Sequence, residues 1–202
     1  RKIFVSSRNS PPISFSSSEK TCPTILFFFR KHCPLSQQAY QYLHHLDFDV
    51  TAAHSTAFKE PLPEDIDWWR GDYILCFRSY FVLPLYLIQR ATKGAINFHP
   101  APPEYPGSGC LNWALYENAK SYGVTAHIMN QKIDNGEIVE CRRFPILQQD
   151  NVDTLLARTH HKLFDLFIDV ATGLALEGRK FIDNKLLESQ SERWRGKARK
   201  IS

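Results

Sequence analysis

A chain of 202 residues with 43% hydrophobic content holds enough apolar material for one well-packed domain and too little length for a second full one. Its formal net charge of +4, from 25 basic and 21 acidic residues dispersed along the sequence, argues against nonspecific nucleic-acid binding. No apolar run approaches the about 20 residues of a membrane span, the amino end lacks a signal-peptide pattern, and 5 cysteines without a C-x-x-C pair argue against a disulfide framework or zinc site and for a reducing, cytoplasmic setting.

Residues 1–23 hold one strand-like run, 2–6, and a serine- and proline-rich piece around Pro11, Pro12 and Ser16; they read either as an edge strand with a loop or as a loosely held arm. The sequence opens on Arg1 rather than methionine, as expected of a trimmed or partial product. A buried-type strand at 25–29, a helix at 35–46 and a strand at 48–53 then make a βαβ unit, which implies parallel strands and a right-handed crossover. No G-x-G-x-x-G comes after the first strand, so a dinucleotide site has little support. Phe27, Phe28 and Phe29 face alternate ways and suit a core better than an aromatic platform, and the neighbouring His44 and His45 are read as surface residues. An acidic, proline-punctuated segment, 58–70, leads to a strand at 73–77, a loop at 78–81 and a helix at 83–90 that Pro84 begins.

Residues 94–99 predict the next strand, with Ile96 and Phe98 on one face and Asn97 and His99 on the other. Pro100 must stop it, and Pro102, Pro103, Pro106 and Gly107 keep the next segment an irregular loop. Two polar side chains thus stand at the carboxyl end of a strand, the edge where open α/β sheets bind ligands, although a local structural role fits the same pattern. From Gly109 a helix is expected, with Leu111, Ala114, Leu115 and Ala119 on one side and Gly123 at its end. Val124, Ala126 and Ile128 then alternate with Thr125, His127 and Met129 as a strand, and Asp134-Asn135-Gly136 makes a turn before a strand at 137–144. Asn151 or Asp153 caps a long helix whose apolar positions are Val152, Leu155, Leu156, Leu163, Leu166, Phe167, Val170 and Leu174; His160 and His161 along it read as solvated or packing residues. Cys110 is the cysteine nearest the polar pair, but no activating environment is legible, and nothing has metal-ligand spacing. The basic run 192–200, ERWRGKARK, is either a solvated tail or a place where Trp194 stacks on a nucleotide base beside arginines that pair with a diphosphate.

Asn97-x-His99-Pro100, the loop ending Pro106-Gly107, Gly123-Val124-Thr125-x-His127 and Asp134-x-Gly136-x-Ile138 together resemble the core of the formyltransferases that use 10-formyltetrahydrofolate. The resemblance is close over about a quarter of the chain and loose over about two thirds. It implies an α/β, Rossmann-like domain over 24–188, with a mostly parallel twisted sheet and helices on both faces, flanked by the 1–23 arm and the 189–202 tail. It also implies a catalytic triad of Asn97, His99 and Asp134. The cofactor, 10-formyltetrahydrofolate, which leaves as tetrahydrofolate, is expected against the backbone of Phe77, Arg78, Ser79, Tyr80, Phe81, Val82 and Leu83, and against Ile133 and Gly136. Pro100, Tyr105, Gly107 and Trp194 are expected on the acceptor side.

Family members commonly carry a serine and two leucines after the histidine, whereas this loop reads PAPPEYPG, similar to the sugar-modifying branch. The implied acceptor is the amine of a nucleotide-linked 4-amino-4,6-dideoxy sugar. Glycinamide ribonucleotide, the acceptor of phosphoribosylglycinamide formyltransferase, is the runner-up. A folate- or nucleotide-binding module without catalysis is a third reading. The sequence ends before the extra C-terminal domain of the methionyl-tRNA enzymes, which weakens a tRNA acceptor, and a homodimer is left open.

Overall fold

The computed structural model describes residues 22–58 and 60–195. The expected strand at 2–6 and the arm up to residue 21 lie outside the described residues, as does the end of the basic run from 196 onward.

Among the described residues, one sheet of 6 strands organises the chain in the order β2-β1-β3-β4-β5-β6. These are β1 Thr24–Arg30, β2 Asp49–Ser55, β3 Gly71–Phe77, β4 Ala91–His99, β5 Ser121–Ile128 and β6 Ile138–Pro145. β1 pairs in parallel with β2 and β3, and β3 with β4, whereas β5 pairs antiparallel with both β4 and β6. Of these strands β5 alone runs against the rest, and the sheet is mostly parallel as expected. The chain steps from β1 outward to β2, then returns to the other side of β1 as β3. That reversal makes a switch point between the carboxyl ends of β1 and β3.

The period of two sorts the strands' side chains onto two faces. Ile25, Phe27, Phe29, Tyr73, Leu75, Phe77, Ile96, Phe98, Val124 and Ala126 point to one core, against α1 Pro34–His45 and α4 Val152–Glu177. Phe167 of α4 sits 5.1 Å from the rings of both Phe77 and Phe98. Burial of such a side chain contributes about 1.5–3 kcal/mol, so this face anchors the strand that carries Asn97 and His99. Asn151 caps α4 through a capping box with Thr154, in keeping with the sequence. Val152 and Leu156, expected in the buried stripe, are 44% and 38% exposed: they lie in the first two turns of α4, where that face is not covered.

The second face, Leu26, Phe28, Ile74, Cys76 and Ala95, is covered thinly by a 3₁₀ turn, Glu64–Trp68, and by Phe81, Leu83, Leu87 and Ile88. The helix expected at 83–90 is one turn, α2 Leu85–Ile88, capped by Pro84, because the chain must enter β4 at Ala91. Gly123 does not end the helix that follows Gly109. The helix after Gly109 is α3 Cys110–Tyr116, and Asn118 ends it at φ +53°, with Asn118 N–H donating to Leu115 O (3.1 Å) and Ala119 N–H to Ala114 O (2.9 Å). Gly123 lies inside β5 instead, where an added Cβ would stand 2.7 Å from Arg142 O. α5, Arg179–Glu188, closes the described fold through Ile182. Among the described residues no helix is long and apolar enough to cross a membrane, and Cys22, Cys33, Cys76 and Cys141 form no disulfide.

Candidate active site

Asn97 and His99 end β4 on the face opposite Ile96 and Phe98, as the alternation requires. Because β5 runs antiparallel beside β4, Asn97 pairs with His127 and His99 with Thr125, which sets a second imidazole next to the first. The loop after β5 then folds back over this face. Asp134 adopts φ +45° there, and at Gly136 a Cβ would fall 1.7 Å from Ile128 O, so the return is close enough to demand glycine. The proline-rich loop closes the other side: Thr125 Oγ1 donates to Ala101 O (2.7 Å), and Tyr122 Oη to Pro100 O (3.1 Å). Asn97, His99, His127 and Asp134 thus converge from two strands and a loop, with His99, His127 and Asp134 only 4%, 3% and 7% exposed.

Asp134 bridges the imidazoles, its Oδ2 3.4 Å from His99 Nδ1 and its Oδ1 3.3 Å from His127 Nε2. Gly107 N–H, at φ +93°, also donates to Oδ2 (2.9 Å). Burial would push the Asp134 carboxyl up, but His99, His127 and Gly107 together hold it below the usual carboxylate range. Burial lowers the His99 pKa, and Asp134 and the Tyr105 carbonyl only partly oppose it. His99 is therefore neutral and Asp134 anionic at pH 7.

The carbonyl beside His99 sets the tautomer of its neutral ring. A carbonyl only accepts, so His99 Nε2 donates to Tyr105 O (2.9 Å) and leaves Nδ1 as the basic nitrogen, facing Asp134. His127 Nδ1 lies 2.9 Å from Ile128 O, and its Nε2 lies 3.1 Å from Asn97 Nδ2 and 3.3 Å from Asp134 Oδ1. One amide hydrogen of Asn97 is engaged there, and the second remains for a reacting group.

Tyr105 and Gly107, expected on the acceptor side, hold His99 and Asp134 through backbone atoms, while the Tyr105 hydroxyl donates to Glu117 (3.1 Å). Pro100 comes directly after His99 and is half-buried. Trp194 packs edge-on against His127 (5.0 Å) and His99 (5.7 Å). On the cofactor side, the Phe77 side chain lies in the α4 core, and Phe81 and Leu83 lie in the second-face core. Arg78, Ser79, Tyr80 and Val82 line the chain between them, and Ile133 is 60% exposed beside Asp134. Because Cys76 pairs with Asn97 and Phe77 with Phe98, this segment leaves β3 alongside the triad.

Two neighbours of the triad have no role that the sequence alone assigns. His127 stands in a motif, but only the pairing register puts it against Asn97. Cys110 Sγ donates to Gly107 O (3.1 Å) and lies 3.7 Å from His99 Nε2. At the switch point there is also a cavity of about 270 Å³, lined by Arg30, His32, Cys33, Thr56, Arg78 and Tyr80. Arg30 stacks over the Tyr80 ring at 3.9 Å with its Nε buried and unpartnered, while Arg78 Nη1 donates to Cys33 Sγ (2.9 Å) at the amino end of α1. Among the described residues, no cluster of His, Cys, Asp and Glu is arranged to hold a metal.

The profile of a family described as formyl transferase matches residues 6–171. Methionyl-tRNA formyltransferase of Listeria innocua is 33% identical over 89 residues, covering 44% of this chain and 28% of that protein. The chain thus spans well under half the length of this curated relative. Among solved structures, the formyltransferase PseJ from Anoxybacillus kamchatkensis, in complex with UDP-4,6-dideoxy-4-formamido-L-AltNAc and tetrahydrofolate, superposes with a TM-score of 0.63 at 21% identity, over 77% of this chain and 78% of that one. Phosphoribosylglycinamide formyltransferase from Streptococcus pneumoniae gives 0.57 at 19% identity, over 75% and 98%. At such identities the likeness is one of fold.

Proposed function

The chain belongs to the formyl transferase family, and we propose that it moves the formyl group of 10-formyltetrahydrofolate to the primary amine of a nucleotide-linked amino sugar of the 4-amino-4,6-dideoxyhexose type. The observation that carries the reading is the convergence of half-buried Asn97 with buried His99 and Asp134 at the carboxyl end of β4. Two loops flank that triad, 78–83 and 129–137, and we assign them to the folate. Bound there, the folate supplies the formyl carbon and a nitrogen leaving group.

The chain's own groups meet the remaining needs. As the amine adds to the formyl carbon, negative charge gathers on oxygen, and the free amide hydrogen of Asn97 is placed to stabilise it. Loss of one such donor costs about 10²–10³ in rate. Neutral His99 takes the amine's proton at Nδ1, and Asp134 stabilises the imidazolium across 3.4 Å. His99 then returns the proton to the departing nitrogen, a transfer worth about 10²–10⁴.

For the acceptor, support comes from the PAPPEYPG loop against the triad and from the arginine-lined cavity on the same sheet edge, which suits a phosphate. Glycinamide ribonucleotide is the second reading, since that cavity also suits its phosphate and this chain covers 98% of the structure of such an enzyme.

The test is tetrahydrofolate release from 10-formyltetrahydrofolate with 4-amino sugar nucleotides, glycinamide ribonucleotide, methionyl-tRNA or no acceptor. Turnover with one amino sugar nucleotide is expected. Turnover with glycinamide ribonucleotide or methionyl-tRNA instead would replace the acceptor, and folate binding without any turnover would leave a non-catalytic module. A folded, fully active His99→Ala protein would sink the triad.

A further inference from the structure

The segment after α5 crosses the mouth of the triad. Ser189 Oγ donates to Val139 O (2.9 Å) on β6. Glu192 takes both terminal nitrogens of Arg143 (2.6 and 3.1 Å), and Arg143 Nη2 also reaches Glu104 of the proline-rich loop (2.9 Å). Arg195 N–H donates to Pro103 O (2.9 Å). Between these anchors, Trp194 donates from Nε1 to Gly136 O (2.7 Å), on the loop that carries Asp134, and sets its indole edge-on to both catalytic-face imidazoles. Residues 189–195 therefore join β6, the proline-rich loop and the Asp134 loop, the surroundings of the triad.

We propose that residues 189–195 form a displaceable strap: Trp194 occupies the approach to His99 and Asn97, and an acceptor amine reaches them only by moving the indole aside. The proposal deepens the formyl-transfer reading and rests on it for the kinetic measurement alone. Burial is the first support. His99, His127 and Asp134 are at most 7% exposed, and the indole packs over both imidazoles of this face. The carboxyl end of the strap is lightly held, because Arg195 is three-quarters exposed and an ion pair in such a setting contributes little. Trp194 itself is kept by one hydrogen bond and two ring edges, contacts that a bound acceptor can replace.

Diethyl pyrocarbonate on the full chain, read by peptide mass spectrometry, reports access directly. Exposed His44 and His45 serve as internal standards. His99 and His127 should react about tenfold or more slowly than His44 in the wild type, and about tenfold faster in Trp194→Ala than in the wild type, as expected when a closed state is removed. Arg143→Ala, which releases Glu192 without touching either imidazole, should raise both rates as well. Folded variants with unchanged rates, or wild-type rates already equal to that of His44, would overturn the strap. In formyl transfer, Trp194→Ala should lower the acceptor KM by about 3- to 10-fold, since apparent affinity is reduced by the fraction of open molecules. A raised KM would make Trp194 a stacking platform for the acceptor and overturn the proposal. Absence of formyl transfer in the wild type would overturn the functional reading only, with the carbethoxylation rates still deciding the strap.

Discussion

Replacing Asp134 by asparagine tests the charge separately from the shape of the site. An asparagine oxygen can still accept from Gly107 N–H, so the Asp134 loop keeps one of its anchors. The loss is the negative charge 3.4 Å from His99 Nδ1. At that separation, with an effective dielectric constant of about 20, the attraction for an imidazolium is about 5 kcal/mol, an upper bound because the amide dipole recovers part of it. At about 1.4 kcal/mol per tenfold, the expected loss in kcat is about 10²–10³. The pH profile should move in a direction a generally damaged site would not produce. His99 already titrates below its ordinary value because burial outweighs the opposing pull of Asp134. With that pull gone its pKa falls further, so the acid limb of kcat/KM moves to lower pH while the plateau drops. The assay is tetrahydrofolate release over roughly pH 4.5 to 8.5, which brackets the titration of a histidine. An acid limb that stays in place or moves to higher pH, or a plateau unchanged from the wild type, would refute the assignment of His99 as the base and Asp134 as its partner.

Asn97→Ala should lower kcat by about 10²–10³ while a folate titration stays near wild type, since the amide acts on charge that develops during reaction. Gly136→Ala forces a methyl into Ile128 O at 1.7 Å, so the Asp134 loop must shift; a stability loss of about 1–3 kcal/mol in urea melts is expected together with loss of turnover. His160, half-buried and facing the charges of Arg78 and Arg30, has its pKa lowered to about 4, chiefly by burial. The unfolded chain then takes up this proton first, so the contribution is complete above about pH 6.5 and is lost as pH falls toward 4. His160→Gln should therefore recover about 1–3 kcal/mol of stability at pH 4 and nothing at pH 7.5, the range allowing for solvent screening of a ring that is not fully buried.

Legibility in the sequence tracks how local each feature is. The alternation of Ile96, Asn97, Phe98 and His99 is a property of one strand, and Pro100 marks its end, so both the face and the position of the polar pair can be read without partners. Asp134-Asn135-Gly136 announces a turn with unusual backbone angles, and Asp134 does sit at φ +45°. The role of His127 depends on its pairing with Asn97, a register set by two strands whose paired residues lie 30 positions apart. Gly123 misleads because a glycine that ends a helix and one that permits close approach to Arg142 O look alike in one dimension. The stop is written instead in Asn118, which tolerates the left-handed turn better than most residues with a side chain. Trp194 stands out inside a basic run, but nothing near it in sequence points to Gly136, 58 residues earlier.

The reversed strand also explains why two kinds of site share one edge of the sheet. In the parallel half, the switch point between β1 and β3 opens a crevice at Arg30 and Arg78, where the chain offers guanidinium groups and the amino end of α1. In the antiparallel half, β5 lays His127 beside Asn97 and closes the crevice, so acid–base groups gather there, shielded from water. The buried, unpartnered Nε of Arg30 at one end and the unengaged amide hydrogen of Asn97 at the other are each short of an acceptor. Under the proposed function, a molecule carrying both a phosphate and a primary amine would complement the two ends at once, whereas a free amine would engage only the triad. Its phosphate would then supply the binding energy needed to move Trp194, which couples selection of the acceptor to exposure of the catalytic groups.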